Sequence, residues 1–168
     1  ALMALIWMLS ACSSSGEPPA EKEVISDLFN AEFKNAEAVV VSEFTTADMI
    51  SQEHYDYFKQ NIPELTPELL QAFQAANQQP ARAAELLEIK PKVITISEDR
   101  RREIFSAPEG KGWDVFYQTY GRVPGIQSFS RPGFSQDGKY ALVYLGGSYG
   151  WLAGKGDLVL CDKLSHAS

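Results

Sequence analysis

The sequence predicts an α+β domain in which helices come first and an antiparallel β-meander comes last. Up to residue 121 the apolar residues recur mostly at helical spacing, and after Gly125 the apolar period falls to two. The 168 residues, 45% hydrophobic and 22% charged, match the size and balance of one ordinary domain. Since no internal repeat or second core is visible, we expect a single domain over residues 23–168.

The first two helices are predicted from apolar stripes. One stripe runs from Val24 to Phe33 on a single helical face. Thr45-x-x-Asp48 resembles a capping box with Asp in place of Glu, and it predicts the start of a second helix whose stripe includes His54. Pro63 is expected to stop that helix.

The later helices carry end signals. Thr66 is placed as an N-cap, with Pro67 at the first helical position, and that helix is expected to end before Pro80. Short helical segments are expected over residues 83–87 and 99–105. Trp113 begins an aromatic stripe at i, i+3, i+4 and i+7 that Gly121 would terminate, and such a stripe usually packs in a core.

The strands are predicted from β-branched and alternating segments. Residues 38–41 and 92–97 form two of them, and the meander comprises residues 126–131, 140–145 and 158–161. Gly138 suits the hairpin turn between the first two meander strands because it tolerates a positive φ. The expected arrangement has the helices on one face of an antiparallel sheet. An NTF2-like or cystatin-like sheet is one specific form of that class.

Charge and composition exclude several functions. With 15 Lys and Arg against 22 Asp and Glu, the net charge of −7 repels nucleic acid. The chain has two Cys and two His at scattered positions, so we expect no metal site, and no motif indicates a cofactor. Its longest apolar run, residues 1–11, is about half the roughly 20 residues that a membrane span requires.

The N-terminal residues have the pattern of a targeting segment that is removed during processing. Residues 1–11 have the apolar density of a signal-peptide core, and Leu9-Ser10-Ala11-Cys12 resembles the lipobox of bacterial lipoproteins. That resemblance implies removal of residues 1–11 and lipidation of Cys12. Residues 12–22 have the small, polar, Pro-containing composition of a flexible tether. Because the sequence begins without an initiator Met or a basic n-region, we expect the precursor to start a few residues earlier.

The lipobox resemblance also implies a location and a partner. Each buried CH₂ of an acyl chain contributes about 0.8 kcal/mol, so an acylated Cys12 would hold the domain on a membrane. Ser13 and Ser14 resemble residues that permit sorting to the outer membrane in Gram-negative bacteria. We therefore expect a lipid-anchored protein of the bacterial cell envelope, on the outer membrane and facing the periplasm if the host is Gram-negative.

Residues 112–163 carry a second resemblance. Trp113-x-x-Phe116, the Ser-Arg-Pro-Gly-Phe segment 130–134 and the Ala-Leu-Val-Tyr segment 141–144 resemble a family of uncharacterised bacterial secreted proteins and lipoproteins. These are packing and turn residues, so the resemblance implies a fold without naming an activity. The family usually continues into a Trp-containing strand where this chain has Leu-Ser-His-Ala-Ser after Lys163. From that departure we expect a truncated or frame-shifted C-terminus.

Most residues with potential chemistry have an ordinary structural interpretation. His54 on an apolar stripe favours a core or boundary histidine over a catalytic base. Cys161 in a strand favours a small buried hydrophobe over a nucleophile. Acidic neighbours of Arg100, Arg101 and Arg102 predict local neutralisation. The glycine-rich residues 146–156 match neither a dinucleotide-binding motif nor a P-loop, and they indicate a wide hairpin.

Three residues are left as candidate contacts. Tyr149 and Trp151 lie on a loop, where aromatic side chains often contact a ligand or a partner. Arg131 could bind a carboxylate or phosphate, or pair with one of the chain's own acids. We therefore expect a non-catalytic domain that binds a small molecule or an envelope protein. The alternative is an envelope hydrolase that uses a pocket acid such as Asp114 with a tyrosine or Arg131.

Overall fold

The computed structural model describes residues 21–46 and 52–162, and it shows five helices and a mixed sheet of six strands. The α+β class predicted from the sequence is confirmed. The helices are α1 (Glu21–Glu32), α2 (Gln52–Asn61), α3 (Pro67–Ala76), α4 (Glu98–Phe105) and α5 (Gly112–Tyr120), with 3₁₀ turns at Ala83–Leu86 and Pro108–Gly110. The strands are β1 (Ala38–Ser42), β2 (Lys92–Ile96), β3 (Ile126–Phe129), β4 (Gly133–Phe134), β5 (Tyr140–Ser148) and β6 (Gly154–Asp162).

The sheet is built around β5. Antiparallel β6 pairs with the whole length of β5, so β3 and β4 share its other edge, one after the other. The predicted meander of β3, β5 and β6 is therefore present. Beyond it, β1 lies parallel to β3, and β2 lies parallel to β1 at the margin of the sheet. The two N-terminal strands thus extend the meander in parallel, which makes the sheet mixed instead of antiparallel throughout.

Helices cover both faces of the sheet, whereas the sequence analysis placed them on one. In β1, Val39 and Val41 pack against α1, and Val40 faces α4 and α5. α2 and α3 cover the same face as α4 and α5, over Leu142 and Leu158. The physical reason is visible in the sequence, because a continuous run of valines suits a strand that is buried on both faces.

Of the two residues predicted to cap helix starts, Thr66 does so and Thr45 does not. Thr66 caps α3 as predicted, since its Oγ1 accepts a hydrogen bond from the Leu69 amide at 3.2 Å. The prediction for Thr45 is wrong, because Thr46, which would be the first residue of the capped helix, is not helical. The Thr45 hydroxyl oxygen instead accepts from the Ala81 amide at 2.9 Å. The Thr45 side chain thus makes a hydrogen bond to a residue distant in sequence and does not act as the predicted cap. Asp48 lies outside the described residues.

Within residues 21–46 and 52–162, no helix has the length and apolar character that crossing a bilayer requires. Cys12 and residues 13–20 lie outside these ranges, so lipidation and this part of the tether stay predictions. The predicted end of the tether at residue 22 is wrong, because Glu21 and Lys22 form the start of α1.

Candidate functional site

Arg131 lies in a β-bulge between β3 and β4. Phe129 is opposite Leu145 and Gly133 is opposite Leu142. Three residues therefore lie between Phe129 and Gly133, whereas two lie between Leu142 and Leu145, and the extra residue makes the bulge. Ser130 keeps the bulge hydrogen-bonded to β5. Its hydroxyl oxygen accepts from the Tyr144 amide, and its own amide donates to the Tyr144 carbonyl, both at 2.9 Å.

The backbone of Arg131 is satisfied by one buried side chain. The Asn77 amide nitrogen donates to the Arg131 carbonyl at 2.8 Å, and the Asn77 amide oxygen accepts from the Arg131 N–H at 2.8 Å. Asn77 is 2% exposed and also donates to the Phe73 carbonyl. This side chain therefore joins the end of α3 to the bulge.

The Arg131 guanidinium is also occupied. Its Nε and Nη2 donate to the two carboxylate oxygens of Glu21 at 3.0 and 2.6 Å. The hydrogen bond with Glu21 raises the pKa of Arg131. The structure therefore realises the second possibility foreseen for Arg131, an ion pair with one of the chain's own acids. It ties the first turn of α1 to the sheet.

Close packing completes the region that we call the bulge cluster, which comprises Glu21, Asn77, Ser130, Arg131 and Gly133. A Cβ on Gly133 would lie 2.3 Å from the backbone nitrogen and the Cα of Phe73. Only glycine allows α3 to approach β4 this closely. The Ser-Arg-Pro-Gly-Phe segment thus owes its composition to the bulge and to helix packing.

A second region lies at the C-terminal end of β5. An open groove of about 500 Å³ separates α4 and the start of α5 from the β5–β6 loop. We call it the aromatic groove, and its lining includes Glu98, Arg101, Phe105, Trp113, Ser148 and Trp151. Trp151 is the one of the three predicted contact residues that lines it.

Trp151 is both exposed and held in place. Its side chain is 58% exposed, yet its indole N–H donates to the Gly110 carbonyl at 2.6 Å. The ring also makes an edge-on contact with Phe105, with centroids 5.9 Å apart and planes at 88°. The indole is therefore fixed as one wall of the groove while more than half of its surface faces solvent.

The rest of the β5–β6 loop is anchored in the same way. The Tyr117 hydroxyl on α5 donates to the Tyr149 carbonyl at 3.0 Å, and burial raises the pKa of Tyr117. Tyr149 itself is 46% exposed and Leu152 is fully exposed. The loop thus carries neighbouring apolar side chains in solvent on a backbone that hydrogen bonds hold against α5 and the turn before it.

The arginine triplet is only partly neutralised. Arg100 pairs with Glu103 at 2.7 Å and Arg102 with Asp99 at 3.3 Å, as the acidic neighbours predicted. Arg101 makes no ion pair with any described residue and lines the groove beside Glu98. Sequence reasoning missed this pair of groove residues, although their three-residue spacing on a helix was a usable signal.

Another open groove, of about 600 Å³, lies between the start of α3 and the β4–β5 turn. Its lining includes Glu68, Asp137 and Tyr140. Hydrogen bonding from the Ser135 hydroxyl lowers the pKa of Asp137. None of the predicted site residues lies there.

The remaining candidate residues are not brought together. Arg131 is about five strand residues, or roughly 16 Å, from Tyr149 along β5. Asp114, proposed with Arg131 for a hydrolase, is exposed on the first turn of α5. Cys161 is buried in the core under α1, as expected for a small hydrophobe, and the His54 side chain lies outside the described residues. Within residues 21–46 and 52–162, no three potential metal ligands are grouped closely enough to hold a metal ion.

No protein-family model, curated protein or solved structure matches the chain. The resemblance to bacterial lipoproteins and the NTF2-like or cystatin-like form therefore stay predictions.

Proposed function

We propose that this protein is a non-catalytic binding domain of the bacterial cell envelope, anchored by lipid on Cys12, and that the aromatic groove is its contact surface. The observation that carries the proposal is the fixed and exposed indole of Trp151. An envelope protein or a small molecule in the groove would cover it.

Energetics favour this surface over the bulge cluster. Aromatic and arginine side chains dominate binding energies at interfaces, and the groove combines Trp151, Trp113 and Arg101. Because Trp151 is already held by Gly110 and Phe105, a ligand would lose little free energy in ordering it. In the bulge cluster the guanidinium and the backbone of Arg131 already have partners within the chain.

The path of α1 supports an outward-facing groove. Glu21 at its start is bound to Arg131, and Glu32 at its end is bound to Lys155 at 2.7 Å, next to the β5–β6 loop. The helix therefore spans about 16 Å from the bulge cluster towards the loop. A chain anchored at Cys12 would enter the domain at Glu21, far from Trp151. In this proposal the groove therefore lies near the opposite end of α1 from the point of attachment.

The anchor is tested by the intact mass of protein recovered from bacterial membranes after expression of the full-length gene. We expect a chain that begins at Cys12 and carries added acyl mass, and we expect Cys12→Ala to abolish that mass. A membrane-recovered chain that retains residues 1–11 without lipid would contradict the anchor.

The groove is tested by photo-crosslinking in intact cells. A benzophenone amino acid replaces Leu152 beside the groove or, as a control, Tyr57 on α2, which is 46% exposed. We expect a discrete adduct from position 152 that Trp151→Ala removes, and no such adduct from position 57. Equal adducts from both positions, or none from position 152, would contradict the assignment of the groove.

A further inference from the structure

We infer that the ligand of the aromatic groove is a carbohydrate, with a sugar ring stacked on Trp151 and its hydroxyl groups bound by Arg101 and Glu98. This inference rests on the proposed function, because it names the ligand class of the same groove. It is carried by the combination of a fixed aromatic ring with a cation, Arg101, and an anion, Glu98, neither of which makes an ion pair with a described residue.

The indole supplies the stacking surface. A pyranose ring has a face of C–H groups, and the negative face of an aromatic ring attracts such positively polarised hydrogens. Trp151 is 58% exposed and its N–H is already bound to Gly110, so the ring face is what remains for a ligand. Trp113 lines the same groove and packs against Phe105 with ring centroids 4.8 Å apart.

The polar lining contains both a donor and an acceptor. Glu98 and Arg101 are exposed residues on the same side of α4, and neither makes an ion pair with a described residue. A hydroxyl group donates and accepts hydrogen bonds, so neighbouring hydroxyls of a sugar can satisfy a carboxylate and a guanidinium together. Ser148 adds a hydroxyl group to the lining, which can both donate and accept a hydrogen bond.

The charge balance of the groove disfavours the other ligand classes. Arg101, Arg102 and Glu98 line the groove, and Asp99 pairs with Arg102 at 3.3 Å, so the formal charges of these four residues cancel. A phosphate or an anionic lipid surface would meet the Glu98 carboxylate and gain little net attraction. An apolar peptide side chain would leave both charges without a partner if it covered them. A neutral ligand rich in hydroxyl groups avoids both costs.

The test is titration of the full chain with chitohexaose and, separately, cellohexaose. Trp7→Phe in every variant confines the fluorescence of the indoles to Trp113 and Trp151. We expect a saturable change with one of the two sugars, weakened by about tenfold or more in Trp151→Ala. Trp151→Phe, which keeps a ring, is expected to bind with intermediate affinity.

Matched variants separate the groove from general surface effects. Glu98→Gln and Arg101→Gln are each expected to weaken binding about threefold or more, because each loses a charge-assisted hydrogen bond. Tyr57→Ala on α2 and Arg122→Gln after α5, both outside the groove, are expected to leave the affinity unchanged. Since the ligand is neutral, raising the salt concentration from 50 to 500 mM should change the affinity by less than about twofold.

The possible outcomes separate this inference from the proposed function. No saturable binding to either hexasaccharide or to purified cell-wall sacculi would overturn the carbohydrate inference, while crosslinking from position 152 would still support the groove. Binding of phosphatidylglycerol vesicles that depends on Trp151, with no sugar binding, would overturn it in the same way. Sugar binding that survives Trp151→Ala would overturn both the inference and the groove assignment.

Discussion

The bulge cluster lies beside the middle of β5 and the aromatic groove lies at its C-terminal end, and the two regions use their polar groups in opposite ways. In the bulge cluster, Asn77 and Glu21 satisfy the backbone and the guanidinium of Arg131. In the groove, Arg101 and Glu98 face solvent beside an exposed and fixed indole. An arginine in a conspicuous motif therefore stabilises the fold, whereas an arginine in an unremarkable charged helix is available to a ligand.

This difference predicts that variants of the bulge cluster change stability and that variants of the groove change binding. The predictions below follow that division, from the largest expected change in the free energy of unfolding to the smallest.

Gly133→Ala should have the largest effect. The new Cβ would overlap the backbone of Phe73 and push α3 away from β4, at a cost of about 3 kcal/mol in the free energy of unfolding. Equilibrium urea denaturation measures it. Gly154→Ala is the control, because the φ of Gly154 is not positive and its Cβ would come no closer than 3.1 Å to another atom, the Gly147 carbonyl oxygen, so a shift of a few tenths of an ångström accommodates it. Equal losses in the two variants would refute the packing argument.

Asn77→Ala should be the next most damaging variant. It removes the buried hydrogen bonds that join α3 to the Arg131 backbone, and it leaves buried donor and acceptor groups without partners. We expect a loss of about 2 kcal/mol in urea denaturation. Asn61→Ala is a matched control, since that amide makes one exposed bond within α2. An Asn77→Ala protein as stable as the control would show that the bulge does not need this side chain.

The ion pair between Glu21 and Arg131 should contribute less. Both side chains are about one-third exposed, with values of 29% and 33%, so solvent screens their attraction. A double-mutant cycle with Glu21→Gln and Arg131→Gln should give a coupling of about 1 kcal/mol or less. Sugar affinity should be unchanged in Arg131→Gln. A tenfold loss of that affinity would show that Arg131 belongs to the binding surface.

Trp151→Phe should have the smallest effect on stability. It removes one hydrogen bond at the surface, from the indole N–H to the Gly110 carbonyl, so we expect a loss of about 0.5 kcal/mol. Denaturation in urea provides the value, and Tyr57→Leu on α2 provides a comparison at another exposed aromatic. A loss above about 2 kcal/mol would mean that the loop is part of the core and not a binding surface.

Local signals predicted much of the fold. The apolar stripe of α1, the Thr66 cap and the aromatic stripe that ends at Gly121 were visible because neighbouring residues determine them. The prediction for Thr45 was wrong because its hydroxyl oxygen accepts a hydrogen bond from the amide of Ala81, which is distant in sequence. The parallel placement of β1 beside β2 and β3 depends on contacts between distant segments, so no local pattern could specify it.

The sites were predicted less well, for the same reason. Tyr149 and Trp151 were recognised as loop aromatics, but the groove also needs Glu98 and Arg101 from α4, which only the tertiary structure brings to the loop. The sequence could not show that Arg131 has a different role from these residues, because its partners in the structure, Glu21 and Asn77, are remote from it in sequence. Residue type and local spacing identified candidates, and the packing of distant segments determines which of them are bound within the fold and which face solvent.

The most direct test follows the amide and indole N–H signals of the ¹⁵N-labelled full chain by NMR during titration with chitohexaose or cellohexaose. Our interpretation predicts shifts of the Trp151 indole and of backbone amides in residues 98–105 and 148–153, with the amides of Asn77 and residues 130–134 unchanged. Shifts centred on Arg131, with the Trp151 indole unmoved, would contradict it.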